Sequence, residues 1–225
     1  MTAPYRIGFL LYEGLTQLDL TGPAQVLSRM PGACLAFIGR DMAPVMSDCG
    51  LALVPTMRLD EAMAFDMICV PGGYGVVDAM GDGAILDWLR GQAEGDCLTT
   101  SVCNGSLLLA AAGLLKGRRA ACHWAWGHAL GWFGAEHVRA RVVEDGRFIT
   151  AGGITAGIDF GFRIIERVAG RAAAETVQLA LEYDPAPLAG GTPATASPAI
   201  LADLEAVLAG RMADSLTRIR RIAGA

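Results

Sequence analysis

The stretch Cys97-Leu98-Thr99-Thr100-Ser101-Val102-Cys103-Asn104-Gly105-Ser106-Leu107-Leu108-Leu109 changes character half-way along. Before Cys103 it is a short, β-rich apolar run. After Cys103 it is a Leu/Ala-rich segment ending at Gly113. That change reads as a buried strand, a tight turn and a helix, with Gly113 just past the helix end. The turn has the form small-x-Cys-x-Gly, from Ser101 to Gly105, which is the pattern of a nucleophile elbow with cysteine as the nucleophile. Small residues two positions either side let the chain reverse without side-chain clash. The sulfur is then set at the carboxyl end of a strand and at the N-terminus of a helix, where unpaired N–H groups and the dipole favour a thiolate. The competing reading is a buried cysteine packing as a small hydrophobe. Strand, elbow and helix arriving together favour Cys103 as the nucleophile.

Working back from the elbow, Tyr5–Tyr12 is a near-continuous apolar run and reads as the first, central strand. Pro23, after Gly22, reads as the first position of a helix running to about Met30. That leaves Asp19 on the loop after the first strand, at the carboxyl edge where α/β ligand sites collect. Its neighbours Leu18 and Leu20 would raise a buried carboxyl's pKa; a surface turn or helix cap is the plainer role for an Asp. Cys34–Gly39 reads as the second strand, with a short β excursion of Val45–Met46 and Leu51–Val54 around Asp48-Cys49-Gly50. A short helix is expected over Arg58–Ala64, then a strand over Met67–Val70. That strand ends in Pro71-Gly72-Gly73-Tyr74-Gly75. The glycine loop lacks the Gly-Lys-Ser/Thr of a phosphate loop. It is either a flexible connection or a means of bringing backbone N–H groups close to a reacting atom. Asp82 is expected to cap a helix with Ile85, Leu86 and Leu89 on one face.

Forward of the elbow, Arg119–Cys122 reads as a strand with His123 at its end, while His128 and His137 look like helix or loop surface positions. A Cys103/His123 dyad and a structural histidine are equally weighted readings. Val138–Val143 and Arg147–Thr150 form a hairpin across Glu144-Asp145-Gly146. Gly152-Gly153-Ile154-Thr155-Ala156-Gly157 leads into a helix with Ile158, Phe162 and Ile165 on one face and Thr155 as N-cap. A helix over Ala172–Glu182 follows. Residues 1–183 are expected to form one α/β domain. Residues 184–225 are expected to form a Pro/Ala/Gly-rich connector and a C-terminal helix, packed on that domain or on a dimer partner. Leu201, Leu204, Val207 and Leu208 line one face of that helix.

A chain of 225 residues, 53% hydrophobic and with mean hydropathy +0.40, suits a large core around a buried parallel sheet, together with a subunit interface. Charges and turn residues interrupt every apolar run before it could span a bilayer. The start runs directly into a strand with no signal-peptide architecture, so a cytoplasmic protein without membrane association is expected. Net charge is −5, and no basic cluster is large enough for nucleic acid. Arg218, Arg220 and Arg221 read as the solvated end of the last helix. Six cysteines without a CxxC pair argue against a disulfide framework and against structural zinc.

Taken in order, the motifs Gln17-Leu18-Asp19-Leu20-Thr21-Gly22-Pro23, Val70-Pro71-Gly72-Gly73, Ser101-Val102-Cys103-x-Gly105-Ser106, Cys122-His123-Trp124 and Gly152-Gly153-Ile154-Thr155-Ala156-Gly157-Ile158-Asp159 resemble the ThiJ/PfpI superfamily. Within it the chain looks most like the isocyanide (isonitrile) hydratases, and the likeness extends into the tail. The resemblance implies a flavodoxin-like three-layer α/β sandwich with a mostly parallel sheet, a homodimer, and no metal or organic cofactor. It implies hydration of an isonitrile, R–N≡C, to an N-substituted formamide through a cysteine thioimidate. It maps the nucleophile to Cys103, the acid/base to Asp19 and a pocket wall to Ile154. Gly72, Gly73, Tyr74 and His123 are expected around the substrate. One departure is Asn104, where the family pattern has Thr; its side chain is expected to hold the attacking water or the imidate nitrogen.

Three rivals remain. A regulator with a helix-turn-helix module would need roughly one hundred more residues. A glyoxalase, deglycase or amidase-like hydrolase could use the same cysteine, but Asp at position 19 favours the hydratase. A non-enzymatic redox sensor oxidised at Cys103 also fits the elbow.

Overall fold

Apolar runs bounded by turn residues become strands, and the amphipathic segments between them become helices that cover the sheet. This computed structural model describes residues 3–61 and 64–225. The first half runs β1 (Tyr5–Leu10), α1 (Gln17–Leu27), β2 (Ala33–Gly39), the hairpin β3 (Val45–Met46) and β4 (Ala52–Leu53), β5 (Met57–Arg58), β6 (Met67–Val70), α2 (Val76–Ala79) and α3 (Gly83–Ala93). β7 (Leu98–Ser101) and α4 (Gly105–Ala111) flank the elbow, and β8 (Arg119–Ala120) and a 3-10 helix (Gly127–Phe133) follow. β9 (Glu136–His137), β10 (Val142–Asp145), β11 (Phe148–Ala151), α5 (Ala156–Ala169), α6 (Arg171–Ala180) and α7 (Pro198–Ala223) complete the chain.

Seven strands form one sheet in the order β10-β11-β7-β6-β1-β2-β5. All neighbouring pairs are parallel except β10 with β11. α5 packs against both α1 and α6, and α4 packs against α2, α3 and the 3-10 helix as a second group. The result is the three-layer flavodoxin-like arrangement. β6 is buried at all four positions, as expected of a strand covered on both faces. Leu107, Leu108 and Leu109 of α4 are fully buried, each contributing about 1.5–3 kcal/mol of transfer free energy. Gly113 follows α4 at φ +82° and ends it as expected.

Several expectations need correction. α1 begins at Gln17, with Pro23 inside it, so Asp19 lies in the first turn of a helix rather than on a loop. The start is fixed by a contact from outside: the Thr16 N–H donates to Gly72 O at 2.8 Å. The Pro23 ring faces Gly157 of α5, where an added Cβ would lie 3.1 Å from Pro23 Cδ. The helix expected over 58–64 is not seen among the described residues: Arg58 ends β5 and residues 59–61 turn, while residues 62 and 63 lie outside them. The Arg119–Cys122 strand is only two residues long and pairs with β9 in a separate sheet. The hairpin strand begins at Val142, not Val138. Thr155 makes no side-chain cap, although its hydroxyl and carbonyl oxygens accept from Arg141. His137 is partly buried in β9, its ring packed against Gly127. Asp82 does cap α3, accepting from Ala84 N–H at 2.9 Å.

In α7, which packs on the 3-10 helix and α2, Met212 and Ile219 are buried and Leu208 is packed against the core, while Leu204 and Val207 are exposed. Arg218 pairs with Asp78, and the Arg220 guanidinium lies over the Trp132 ring, so these tail cations have partners.

Candidate active site

The elbow is a strained turn held from both sides. Cys103 sits at φ +61°, a left-handed conformation that costs a non-glycine residue about 1 kcal/mol or more. Its N–H donates to Gly152 O at 2.8 Å and Ala151 O at 3.2 Å, which ties the turn to the end of β11. On the other side Gly105 lies against the β6 end, where an added Cβ would stand 2.9 Å from the Pro71 carbonyl carbon. Only glycine permits that approach.

The sulfur is not pushed out into solvent: Cys103 is 5% exposed. Burial raises the Cys103 thiol well above its ordinary range, the Asp19 charge adds to this, and the Asn104 backbone N–H against the sulfur opposes it weakly. This direction runs opposite to the thiolate expected at the helix start. A two-turn helix start offsets only part of the desolvation of an anion.

Asp19 is fully buried. Its Oδ2 accepts the Gly72 N–H at 2.9 Å, and among the described residues Oδ1 has no hydrogen-bond partner. Burial lifts the carboxyl from an ordinary 3.8 to about 7, while the Gly72 N–H and the adjacent Cys103 thiol pull it down and Asp48 pushes it up. The apolar flanks Leu18 and Leu20 thus carried the right signal, though helix α1 is what delivers the carboxyl to the sulfur. The carboxylate in turn raises the thiol, so the carboxyl is the member of the pair that titrates nearer neutral pH.

The glycine loop closes the site. Neither of its first two N–H groups is free for a reacting atom: Gly72 donates to Asp19, and Gly73 donates to Asn104 Oδ1 at 2.8 Å. Asn104 Nδ2 donates to Gly73 O at 3.2 Å, so both ends of its side chain are engaged with protein and the residue is 2% exposed. The expectation that this side chain meets water or substrate gives way to a contact with the loop. Gly72 itself abuts the elbow, since an added Cβ would stand 2.8 Å from Cys103 Cβ.

The remaining candidates border this cluster. Tyr74 is 45% exposed and edge-on to Trp126, with ring centroids 6.1 Å apart. His123 stacks on Trp124 and packs against Gly153, next to the Gly152 that holds Cys103. Its Nδ1 accepts the Ala125 N–H at 3.3 Å, and burial lowers its pKa, so the ring is a neutral group engaged with its own loop. Ile154 is partly buried on the same 152–157 turn. Three neighbours escaped the sequence reading. Tyr12 donates its hydroxyl to Pro71 O at 2.6 Å and braces the glycine loop. Ser106 hydrogen-bonds to the Cys122 thiol, and Cys122 in turn raises Cys103. Tyr12, at the end of the first apolar run, was the one with a visible signal.

Among the described residues no group of three or more His, Cys, Asp or Glu side chains is placed to hold a metal ion, and no helix is long and apolar enough to cross a membrane. Neither of two surface concavities of about 490 and 340 Å³ is lined by Cys103 or Asp19: the larger lies between α1 and β2 and is lined by Leu20, Ala24, Leu35 and Phe37, and the smaller reaches Tyr12 and Gly75.

The chain is 48% identical over 197 residues to the isonitrile hydratase of Pseudomonas putida, covering 87% of this chain and 86% of that protein. It is 31% identical over 178 residues to the HTH-type transcriptional regulator GbdR of Pseudomonas aeruginosa, covering 75% of this chain but only 48% of the regulator. The crystal structure of a ThiJ/PfpI family protein from Pseudomonas syringae superposes with a TM-score of 0.93 at 35% identity, covering 100% of this chain and 92% of that one. Residues 5–167 match the model of the DJ-1/PfpI family, and with the elbow cysteine, its buried carboxyl and the three-layer fold in place, the chain belongs to that family.

Proposed function

We propose that this protein is an isonitrile hydratase with Cys103 as nucleophile and Asp19 as proton carrier. The observation that carries the reading is the buried thiol–carboxyl pair with the carboxyl lifted to about 7. Such a group can both take and return a proton at neutral pH. The 48% identity to the Pseudomonas putida enzyme supplies the substrate class.

The Asp19 carboxylate accepts the thiol proton as sulfur bonds to the terminal isonitrile carbon, then returns it to that same carbon. The product is the thioimidate R–N=CH–S, with one S–C and one C–H bond formed and nothing released. Water then adds to the carbon, giving one proton to Asp19, which passes it to nitrogen. Collapse of the adduct forms the formyl C=O and breaks the C–S bond, and the departing sulfur regains the proton of the hydroxyl through Asp19. The sum is R–NC plus water giving R–NH–CHO. Tyr74, Ile154 and His123 would border the R group.

A homodimer belongs to the same proposal, and sedimentation at micromolar concentration tests it. The functional test is incubation of the reduced protein with an alkyl isonitrile and detection of the formyl proton by NMR. Absence of formamide would overturn the assignment.

A further inference from the structure

Asn104 follows the nucleophile, yet its side chain faces away from the reaction and toward the backbone across the cleft. Oδ1 accepts the Gly73 N–H at 2.8 Å and Nδ2 donates to Gly73 O at 3.2 Å. The pair is a closed two-bond exchange of the kind neighbouring antiparallel strands make. Gly73 lies at φ +136°, a region open to glycine, where the backbone has more alternatives than at any other residue. Something must select one of them. The neighbouring carbonyl is fixed from α1, through the Thr16 N–H on Gly72 O at 2.8 Å. The elbow side is fixed by Asn104. The Gly72 N–H, one peptide before both of these contacts, donates to Asp19 Oδ2 at 2.9 Å, and the carbonyl of its own peptide, Pro71 O, accepts the Tyr12 hydroxyl.

We propose that Asn104 is a positioning residue: by pinning the Gly73 backbone through both ends of its amide, it holds the Gly72 N–H on the Asp19 carboxylate. The chemical consequence rests on Asp19 being the proton carrier proposed above. The geometric statement does not. The titratable groups facing Asp19 are Cys103 on the elbow, Tyr12 after β1, Asp48 on the hairpin, Cys69 in β6 and Cys122 after β8. None of them is altered by changing Asn104. The Gly72 bond favours the ionised carboxyl, so loosening it moves the Asp19 titration upward.

The experiment is a ¹³C-carboxyl NMR titration of the full-length protein, with the Asp19 resonance assigned by its loss in Asp19→Asn. Asn104→Ala is expected to raise the Asp19 midpoint by about half a pH unit or more. Asn104→Thr, which can keep one acceptor for the Gly73 N–H, is expected to fall between the two. A merely structural role would lower the melting temperature and leave the midpoint in place, and that result in a folded Asn104→Ala overturns the proposal. Should Asn104→Ala fail to fold, Asn104→Thr decides by the same criterion. Where isonitrile is turned over, the midpoint of kcat/KM against pH must move in step. A shifted carboxyl titration in a protein that hydrates no isonitrile would leave the positioning intact and remove the functional assignment.

Discussion

Replacing Asp19 with Asn should abolish turnover and at the same time stabilise the fold at alkaline pH. The folded state holds the Asp19 proton up to about pH 7, whereas the unfolded chain releases it near 3.8. Between those values the folded state binds more protons, so stability is complete below about 4, falls as pH rises and levels off above about 7. At 1.36 kcal/mol per pH unit, the wild type forfeits about 4 kcal/mol across the window, with about 2.5 kcal/mol of it between pH 5 and 8. Asn has no such titration. Its extra N–H donors, set where Oδ1 has no partner, cost on the order of 1 kcal/mol at every pH, an offset that leaves the slope untouched. For a domain of this size about 2.5 kcal/mol corresponds to roughly 5–10 °C. The assay is the melting temperature of both proteins from pH 5 to 9 at equal protein concentration. The Asn variant should gain on the wild type up to about pH 8 and then hold its lead. Parallel curves would mean that the carboxyl is not protonated at neutral pH, and the proton-carrier role would fall with it.

The other predictions concern the same cluster. Cys103→Ser and Cys103→Ala should leave no more than a few per cent of formamide formation, at a cost to stability of about 1–2 kcal/mol; substantial turnover in either would move the nucleophile elsewhere. kcat/KM should rise with pH through about 7, because Asp19 must be ionised to take the thiol proton, and a flat profile from pH 5 to 9 would contradict this order of events. His123→Ala should retain most activity, since its ring is engaged with Ala125 and Trp124. A loss matching that of Cys103→Ala would instead establish a Cys/His dyad and a hydrolase-like mechanism.

What could be read in advance follows the range of the interactions. β6 and β7 are continuous apolar or β-branched runs between turns, and the elbow is written in residues 101–105, so local spacing sufficed for them. α1 was misplaced because Pro23 is a strong local sign of a helix start, while the actual start depends on the Thr16 N–H reaching Gly72 O. The Asn104 contact was beyond reach for the same reason: its partner lies 31 residues back in the chain, and an Asn after a nucleophile looks like a group meant for substrate. The helix start that favours a thiolate is a local feature, whereas the burial of Cys103 that opposes one is made by Gly72, Gly152 and α1 together. The exposed apolar side chains of α7 show the limit of periodicity. Leu204 and Val207 repeat at helical spacing with Leu201 and Leu208, yet of the four only Leu208 packs against the core, and Leu204 and Val207 are exposed.

Burial is the common cause of the site's acid–base properties and of its shape. The same exclusion of water that lifts Asp19 to about 7 leaves Cys103 only 5% exposed, with Gly72 hard against it. A carbonyl carbon flanked by two substituents would have to bring both up to a sulfur packed this tightly. The terminal carbon of an isonitrile carries none, and the linear N≡C group keeps R at a distance. A site that buries its nucleophile this deeply is therefore matched to a rod-shaped reacting group, and the proposed substrate class meets that requirement through its own geometry. The strained φ at Cys103 and the desolvated carboxyl together cost several kcal/mol. The fully buried Leu107, Leu108 and Leu109 of the helix that carries the elbow offset a cost of that size. The strained nucleophile and the leucines that offset its cost thus lie on one continuous segment of chain, while the carboxyl that completes the pair is brought to it by α1.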